Sequence, residues 1–378
     1  MVRFQPHRRT NLFSLPASAF ALLLAVVVVL RGHAARAGPL SSIQQFAQRT
    51  AAQAGQAASA TLGGATSLYV SPIGMGRYHS VQAAIQAVPV NNAHRITIHI
   101  APGTYRGQVI IPVNKPFITL RGNNAAAKTT IITDNLPYSA KGKNGVGTGY
   151  GDTATVCIFA PHTRIYGLSF VNSFVRKSNR TGNQATALNI HADRVSLVNC
   201  RIAAYQDTLL FSQPGARAFL SHCRIIGAVD FIYGQGTALL SRCHVVLVNH
   251  GHWGCVTAPA TPKNQRYGLV LWHCRVTGRK YVPNKSVWLG RPWHPYGNVI
   301  YINCYLGPEI RPAGWLNWKH AHDYKTARLE EFHSTGPGAD PAQRVPWSHQ
   351  LTAAQASKIT VESVLAGHDG WRPQGRAR

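Results

Sequence analysis

A chain of 378 residues with 45% hydrophobic and 9% aromatic content can bury a large core, which excludes disorder throughout and allows one elongated domain or two compact ones. Only 13% of the residues are charged, and 39 Lys and Arg face 12 Asp and Glu, a formal charge of +27. That balance favours a polyanionic partner through a long-range, salt-screened field, and it makes each acidic residue informative.

At the N-terminus, Arg3, Arg8 and Arg9 precede an apolar run from Leu12 to Leu30, and Ala35-Arg36-Ala37 supplies small residues at cleavage spacing. Residues 1–37 therefore read as a secretory signal, and the chain is expected to be exported, secreted or periplasmic, after cleavage near Ala37. The run is just long enough for an uncleaved anchor, but Pro16 and the small-residue site favour cleavage. Arg8-Arg9 also fits a twin-arginine signal. The membrane is then a partner only through that signal. Removing it takes away five Arg and no acid, 27 less 5, so about +22 stays with the working protein. Residues 38–66, rich in Ala, Gln, Ser and Gly, read as a low-complexity linker.

Ser80 to Pro89 carries an N-cap candidate, apolar residues at helical spacing and a Pro stop, which predicts a short N-terminal capping helix. After it, β-branched runs recur between Gly, Asn and Pro turns: Ile96–Ile100, Val109–Ile111, Ile118–Leu120 and Ile165–Leu168. Five phrases then share one pattern of a polar residue, Cys, a further residue and an aliphatic, centred on Cys200, Cys223, Cys243, Cys274 and Cys304. The spacings are 23, 20, 31 and 30 residues. A strand-like unit returning at such intervals predicts an all-β, right-handed parallel β-helix over residues 67–372, with 373–378 as a tail. Leucine-rich repeats lack their Leu/Asn spacing here, and propeller blades would run to about forty residues. Period-2 alternation places each Cys and its aliphatic on one face, so the cysteines read as a buried ladder. No CxxC suggests zinc or redox chemistry.

Between Arg194 and Pro308 the only acids are Asp207 and Asp230, where ordinary usage gives on the order of a dozen. Each lies just past a Cys-bearing strand, so equivalent offsets on successive coils make them neighbours. Two adjacent carboxylates repel, so one is pushed up in pKa while the other is held ionised by a cation. Arg291, within Trp288-Leu289-Gly290-Arg291-Pro292-Trp293, is the expected cation, fixed by Pro292 and the flanking aromatics. A lone Asp commonly caps a turn; two that coincide with Gln184, Gln206 and Arg291 point to chemistry instead.

Gln184-Ala185-Thr186-Ala187-Leu188, Tyr205-Gln206-Asp207-Thr208, Asp230-Phe231-Ile232-Tyr233-Gly234 and Leu289-Gly290-Arg291-Pro292-Trp293 follow the order of signatures in the pectin methylesterase (pectinesterase) family, which this chain resembles. Gly103-Thr104-Tyr105, Ile310–Trp315 and Thr335–Ala339 resemble the family's outer motifs, so the likeness spans about Leu68 to Trp371. The resemblance implies a carboxylic ester hydrolase that removes methyl esters from pectin, with Asp230 as nucleophile and Asp207 as proton donor and then base. It implies Gln184 and Gln206 at the oxyanion, Arg291 orienting Asp230, Trp293 against a sugar ring, and Tyr205 and Phe231 as further substrate contacts. It also implies a bacterial-type chain without an inhibitor-like prodomain, since residues 38–66 are too short for one.

Gly107, Thr186 and Tyr233 stand where the family usually has Glu, Val and Phe, and the Asp207 to Asp230 segment is about two residues longer. The extra length predicts that the turn at Gln213-Pro214-Gly215 reshapes a groove wall. Polygalacturonases and pectate lyases need more acids than two for their chemistry or for Ca²⁺, and no Gly-x-Ser-x-Gly elbow occurs for a serine esterase. A non-catalytic polysaccharide-binding β-helix is the alternative reading. Basic residues are spread along the chain, not gathered in a nucleic-acid-reading element. Methyl-esterified pectin and polygalacturonate are therefore the expected partners, not nucleic acid, for a monomer working without cofactor or metal.

Overall fold

Short strands that are apolar on one face bury that face here by stacking, coil upon coil. The structure, a computed structural model, describes residues 66–373 apart from 74–75, 123–126, 139, 141–152, 175–183, 251–252 and 319–321. The signal expected at 1–37, the linker apart from Thr66 and the tail beyond residue 373 lie outside the described residues. Three parallel sheets of eleven, eight and seven strands run the length of the described chain. One coil shows the plan. Val195–Val198 enters the eleven-stranded sheet, Arg201–Ala203 the eight-stranded one and Leu209–Phe211 the seven-stranded one, before Arg217–Ser221 returns to the first. This is the right-handed parallel β-helix expected from the repeated phrase.

Register is kept from coil to coil, so one interior column reads Ile98, Leu120, Ile165, Leu197, Leu220, Leu240, Leu271 and Tyr301, all fully buried. Neighbours in such a column stand about 4.8 Å apart, close enough for continuous aliphatic contact. The eleven-stranded sheet is apolar on its outer face too. Phe219, Leu239, Val270 and Ile300 stack outward and are covered by a C-terminal helix, Val361–Leu365, through Val364 and Leu365. Burial on both faces explains why its strands read as unbroken apolar runs such as Leu269-Val270-Leu271.

At the other end the expected helix forms as Val81–Ala87, with the Ser80 hydroxyl accepting from the Ala83 N–H at 3.2 Å. Lys115 donates to the carbonyls of Gln86 and Val88 at the helix end, and burial pushes its ammonium down to about 8.

The cysteine ladder is buried as expected, but its position differs. Each Cys follows a strand and does not lie within it, at the corner where the chain leaves the eleven-stranded sheet. The preceding residues Asn199, His222, Arg242, His273 and Asn303 all have φ between 50° and 54°. Gly167 and His333 hold the same corner in neighbouring coils, at 63° and 52°. Thus Ile165–Leu168 is not one strand: Arg164–Tyr166 ends at Gly167 and Ser169–Asn172 begins beyond it. Each thiol donates to a core-column carbonyl of the preceding coil, from Cys200 to Ile165 at 3.8 Å through Cys304 to Leu271 at 3.3 Å.

The interior column ends on a charge. Tyr301 pairs with Glu331, whose carboxylate is 4% exposed and takes Arg344 Nε at 2.7 Å, Arg344 Nη2 at 3.1 Å and Trp315 Nε1 at 3.3 Å. A buried ion pair broken from one side strands a charge. Arg344→Ala is expected to lower the unfolding free energy by about 3–5 kcal/mol, and Arg344→Met with Glu331→Gln to recover most of it. Urea unfolding of the two variants measures the difference; equal loss in both would show that packing, not charge, dominates this end.

Candidate active site

The seven-stranded sheet is entered through a turn whose equivalent positions on three coils are Gln184, Gln206 and Val229, joined as parallel bridges. The next positions are Ala185, Asp207 and Asp230. The Ala185 N–H bonds the Gln206 carbonyl at 3.1 Å, and the Asp207 N–H bonds the Val229 carbonyl, also at 3.1 Å. Both aspartates are left-handed, with φ of 61° at Asp207 and 49° at Asp230, a conformation that Asp tolerates better than most residues. At Asp230 the register against Gly254–Pro259 also shifts between Val229 and Ile232. That bulge turns the Asp230 carboxylate out of the coil. The same turn sends Phe231 inward: its side chain is fully buried in the main core, so the substrate contact expected of Phe231 is corrected to a core anchor.

Gln184, Gln206, Asp207, Asp230, Arg291 and Trp293 line one pocket of about 200 Å³, walled also by Tyr233, Ala258 and Trp318. The strand Val287–Gly290 delivers Arg291 from two coils beyond Asp230. The guanidinium is bidentate, donating from Nε to Asp230 Oδ1 at 2.9 Å and from Nη2 to Oδ2. It lies over Trp318 at 3.8 Å and Trp253 at 4.9 Å. Sequence reasoning expected Trp288 and Trp293 to fix this cation. Instead Arg311 lies over Trp288, and Trp293 packs against Tyr233 and His294. Trp253 and Trp318 come from other coils, and only their aromatic character signalled them. Tyr205 stands at the rim, with its hydroxyl donating to the Asn249 carbonyl at 3.1 Å and its ring stacked on His250, which meets Trp253 edge-on.

The two carboxylates differ in surroundings. Burial pushes Asp207 well above the usual carboxylate range, and the charge of Asp230 adds to the rise; Arg291 and a hydrogen bond from the Gln206 side chain oppose it. Burial thus favours the protonated form of Asp207. Burial and the charge of Asp230 hold the Cys255 thiol well above its ordinary range, and the thiol donates to the Thr257 carbonyl at 3.5 Å. Thr186 Oγ1 and Tyr233 Oη, both buried, share a hydrogen bond of 3.0 Å and so tie the Gln184 coil to the Asp230 coil. The turn at Gln213-Pro214-Gly215 does not line the pocket. It closes the far end of its strand, where the Gln265 side chain accepts from the Gly215 N–H at 2.8 Å. Among the described residues no cluster of three or more His, Cys, Asp or Glu forms a metal site.

The family model for pectinesterases matches residues 67–368. The chain belongs to the pectinesterase family. A curated member, Pectinesterase 31 of Arabidopsis thaliana, is 35% identical over 301 residues, covering 78% of this chain and 91% of that protein. Among solved structures, the pectin methylesterase from carrot aligns with a TM-score of 0.71 at 29% identity, over 79% of this chain and 93% of that one. A pectin methylesterase solved in complex with a hexasaccharide aligns at 0.69 and 27% identity, over 82% and 98%.

A carboxyl whose pKa is raised on folding contributes most to stability below its unfolded value, and that contribution is lost as pH rises through its folded value. Asp207 thus costs stability at neutral pH. Asp207→Asn is expected to raise the urea midpoint at about pH 7, with the gain vanishing near about pH 3, below the unfolded carboxyl range. A variant less stable than the parent at neutral pH would refute this cost.

Proposed function

We propose that this chain hydrolyses the methyl esters of pectin through a covalent intermediate on Asp230. The observation that carries the reading is the unequal carboxylate pair: Asp207 bears a proton through burial, while Arg291 grips both oxygens of Asp230 in the same pocket. Asp230 attacks the ester carbonyl carbon as a carboxylate, aimed by the bidentate Arg291. Negative charge gathers on the carbonyl oxygen, where the side-chain amides of Gln184 and Gln206 donate. Asp207 gives its proton to the departing methoxy oxygen, so methanol leaves and a mixed anhydride on Asp230 remains. Asp207, now ionised, takes a proton from water as that water attacks the anhydride carbonyl. The product carboxylate is released and Asp207 is again protonated. Trp293 at the pocket wall offers a flat apolar face to a sugar ring.

The partners are methyl-esterified pectin and its polygalacturonate product, met by a monomer, with no role for nucleic acid and none for the membrane beyond export. Purified protein is expected to release methanol from methylated pectin. Asp230→Asn should lower kcat by at least about a thousandfold while leaving the Kd for the polymer nearly unchanged. Binding with no methanol release from the parent would favour a polysaccharide-binding module instead. Export rests on the Arg-led apolar run and the Ala35-Arg36-Ala37 site. N-terminal sequencing of the protein recovered outside the cytoplasm should begin at or near Gly38; an intact N-terminus there would refute cleavage.

A further inference from the structure

The outer face of the eight-stranded sheet carries a column of basic residues that the reaction does not use. Arg201, Arg224, His244 and Arg275 are register partners on four successive coils. At about 4.8 Å per coil the column spans about 14 Å. The next residues along, Ile202, Ile225, Val245 and Val276, are fully buried, so alternation turns the four basic side chains outward. One position further, Ala203, Ile226 and Val246 pack into an apolar strip that is itself buried, 2–6% exposed. Beyond the strip lies the exposed Arg279, whose charge, with that of Arg224, adds to burial in lowering the pKa of Arg201.

Like charges directly opposite one another on neighbouring strands repel; Arg275 lies over the Tyr305 ring at 4.1 Å, which leaves its charge uncancelled. None of Arg201, Arg224, Arg275 and Arg279 forms an ion pair among the described residues. Glu309 sits beside Gly278 at the edge of this face, but it is buried and forms no ion pair either. His244 takes no part as a cation in this arrangement. Arg224 Nη1 lies 3.2 Å from its Nδ1, which must accept, leaving Nε2–H to donate to Thr277 Oγ1 at 2.8 Å.

The geometry points to this face as a docking site for a de-esterified stretch of polygalacturonate, with Arg201, Arg224, Arg275 and Arg279 meeting its carboxylates. The occupant follows from charge. A methyl ester is neutral and gains nothing from a row of cations, whereas a polyuronate presents one carboxylate per sugar along a line, as three of the four rungs present a cation. The site lies on a different sheet from Asp230 and would hold the enzyme on chain already processed. It deepens the proposed reaction and takes from it only the identity of the polymer.

The test compares two variants of equal charge. Arg201→Gln/Arg224→Gln/Arg275→Gln removes the column, and Arg77→Gln/Lys358→Gln/Arg372→Gln removes three exposed cations elsewhere. Full-length protein is titrated with de-esterified oligogalacturonate, its fully methylated counterpart and a DNA duplex, at about 20 mM and about 200 mM salt. The column variant is expected to bind the de-esterified chain about tenfold more weakly at low salt, with a flatter salt dependence and an unchanged thermal midpoint. The control should keep most of its affinity, and methanol release from a short methylated oligomer should stay at the parental rate in both. Equal loss in the two variants would assign binding to net charge and overturn the site, as would full affinity in the column variant or a column-dependent loss for DNA alone. Absence of methanol release from the parent would defeat the ester-hydrolase reading and leave this binding comparison standing.

Discussion

Each coil must pass its backbone N–H and C=O groups to the next in register, and most other features follow from that constraint. A parallel stack leaves no freedom to slip by one residue without turning every inward side chain outward. The chain meets the demand at the corners. Gly167, Asn199, His222, Arg242, His273, Asn303 and His333 repeat one left-handed conformation where the eleven-stranded sheet ends, and five of them precede a cysteine. A small, apolar thiol fills the corner behind each and donates to the coil before it. The interior columns can then be simple aliphatic stacks.

The site arises where this repetition is broken. At the entry to the seven-stranded sheet, two more left-handed residues are aspartates, and the second coincides with a bulge. Phe231 buries itself as Asp230 turns out, so the core anchors Asp230 by the residue next to it. Because neighbouring coils are a fixed distance apart, groups far separated in sequence arrive together: Gln184, Gln206, Asp230 and Arg291 each come from a different turn of the solenoid. The low count of acids matters here. With no other carboxylate lining the pocket, Asp207 is governed by burial, Asp230, Arg291 and the Gln206 hydrogen bond.

Much of this was legible in the sequence because the repeated phrase and the isolated acids are both departures from average composition. The spacing of Cys200 to Cys304 disclosed the solenoid, and the offset of Asp207 and Asp230 from successive cysteines placed them side by side. Three things were not legible. A left-handed corner residue has no fixed identity here, being Asn, His, Arg or Gly, so the cysteines read as strand residues when they are corner residues. Phe231 looked like a wall of the site because a bulge, which reverses the alternation, leaves no mark in the residue types. Trp253 and Trp318 were passed over because aromatic partners of a cation are chosen by proximity across coils, not by spacing along the chain. The C-terminal helix Val361–Leu365 escaped for a related reason: it covers an outer face whose apolar character shows only once the sheets are assembled.

The departures from the family pattern at Thr186 and Tyr233 make sense only together. Tyr233 lies on the strand that carries Asp230, and Thr186 follows Gln184 two coils away; their hydroxyls meet at 3.0 Å in a buried setting. A hydroxyl buried opposite a methyl group is costly, while two hydroxyls bonded to each other, or two apolar groups packed together, are not. The usual Val and Phe form the second arrangement and the present Thr and Tyr the first, so either position can change without loss only if the other changes with it. The bond also spans the intervening coil that carries Asp207. It links the stretch that follows Gln184 to the strand of Asp230, and the two sides of the pocket therefore shift together or not at all.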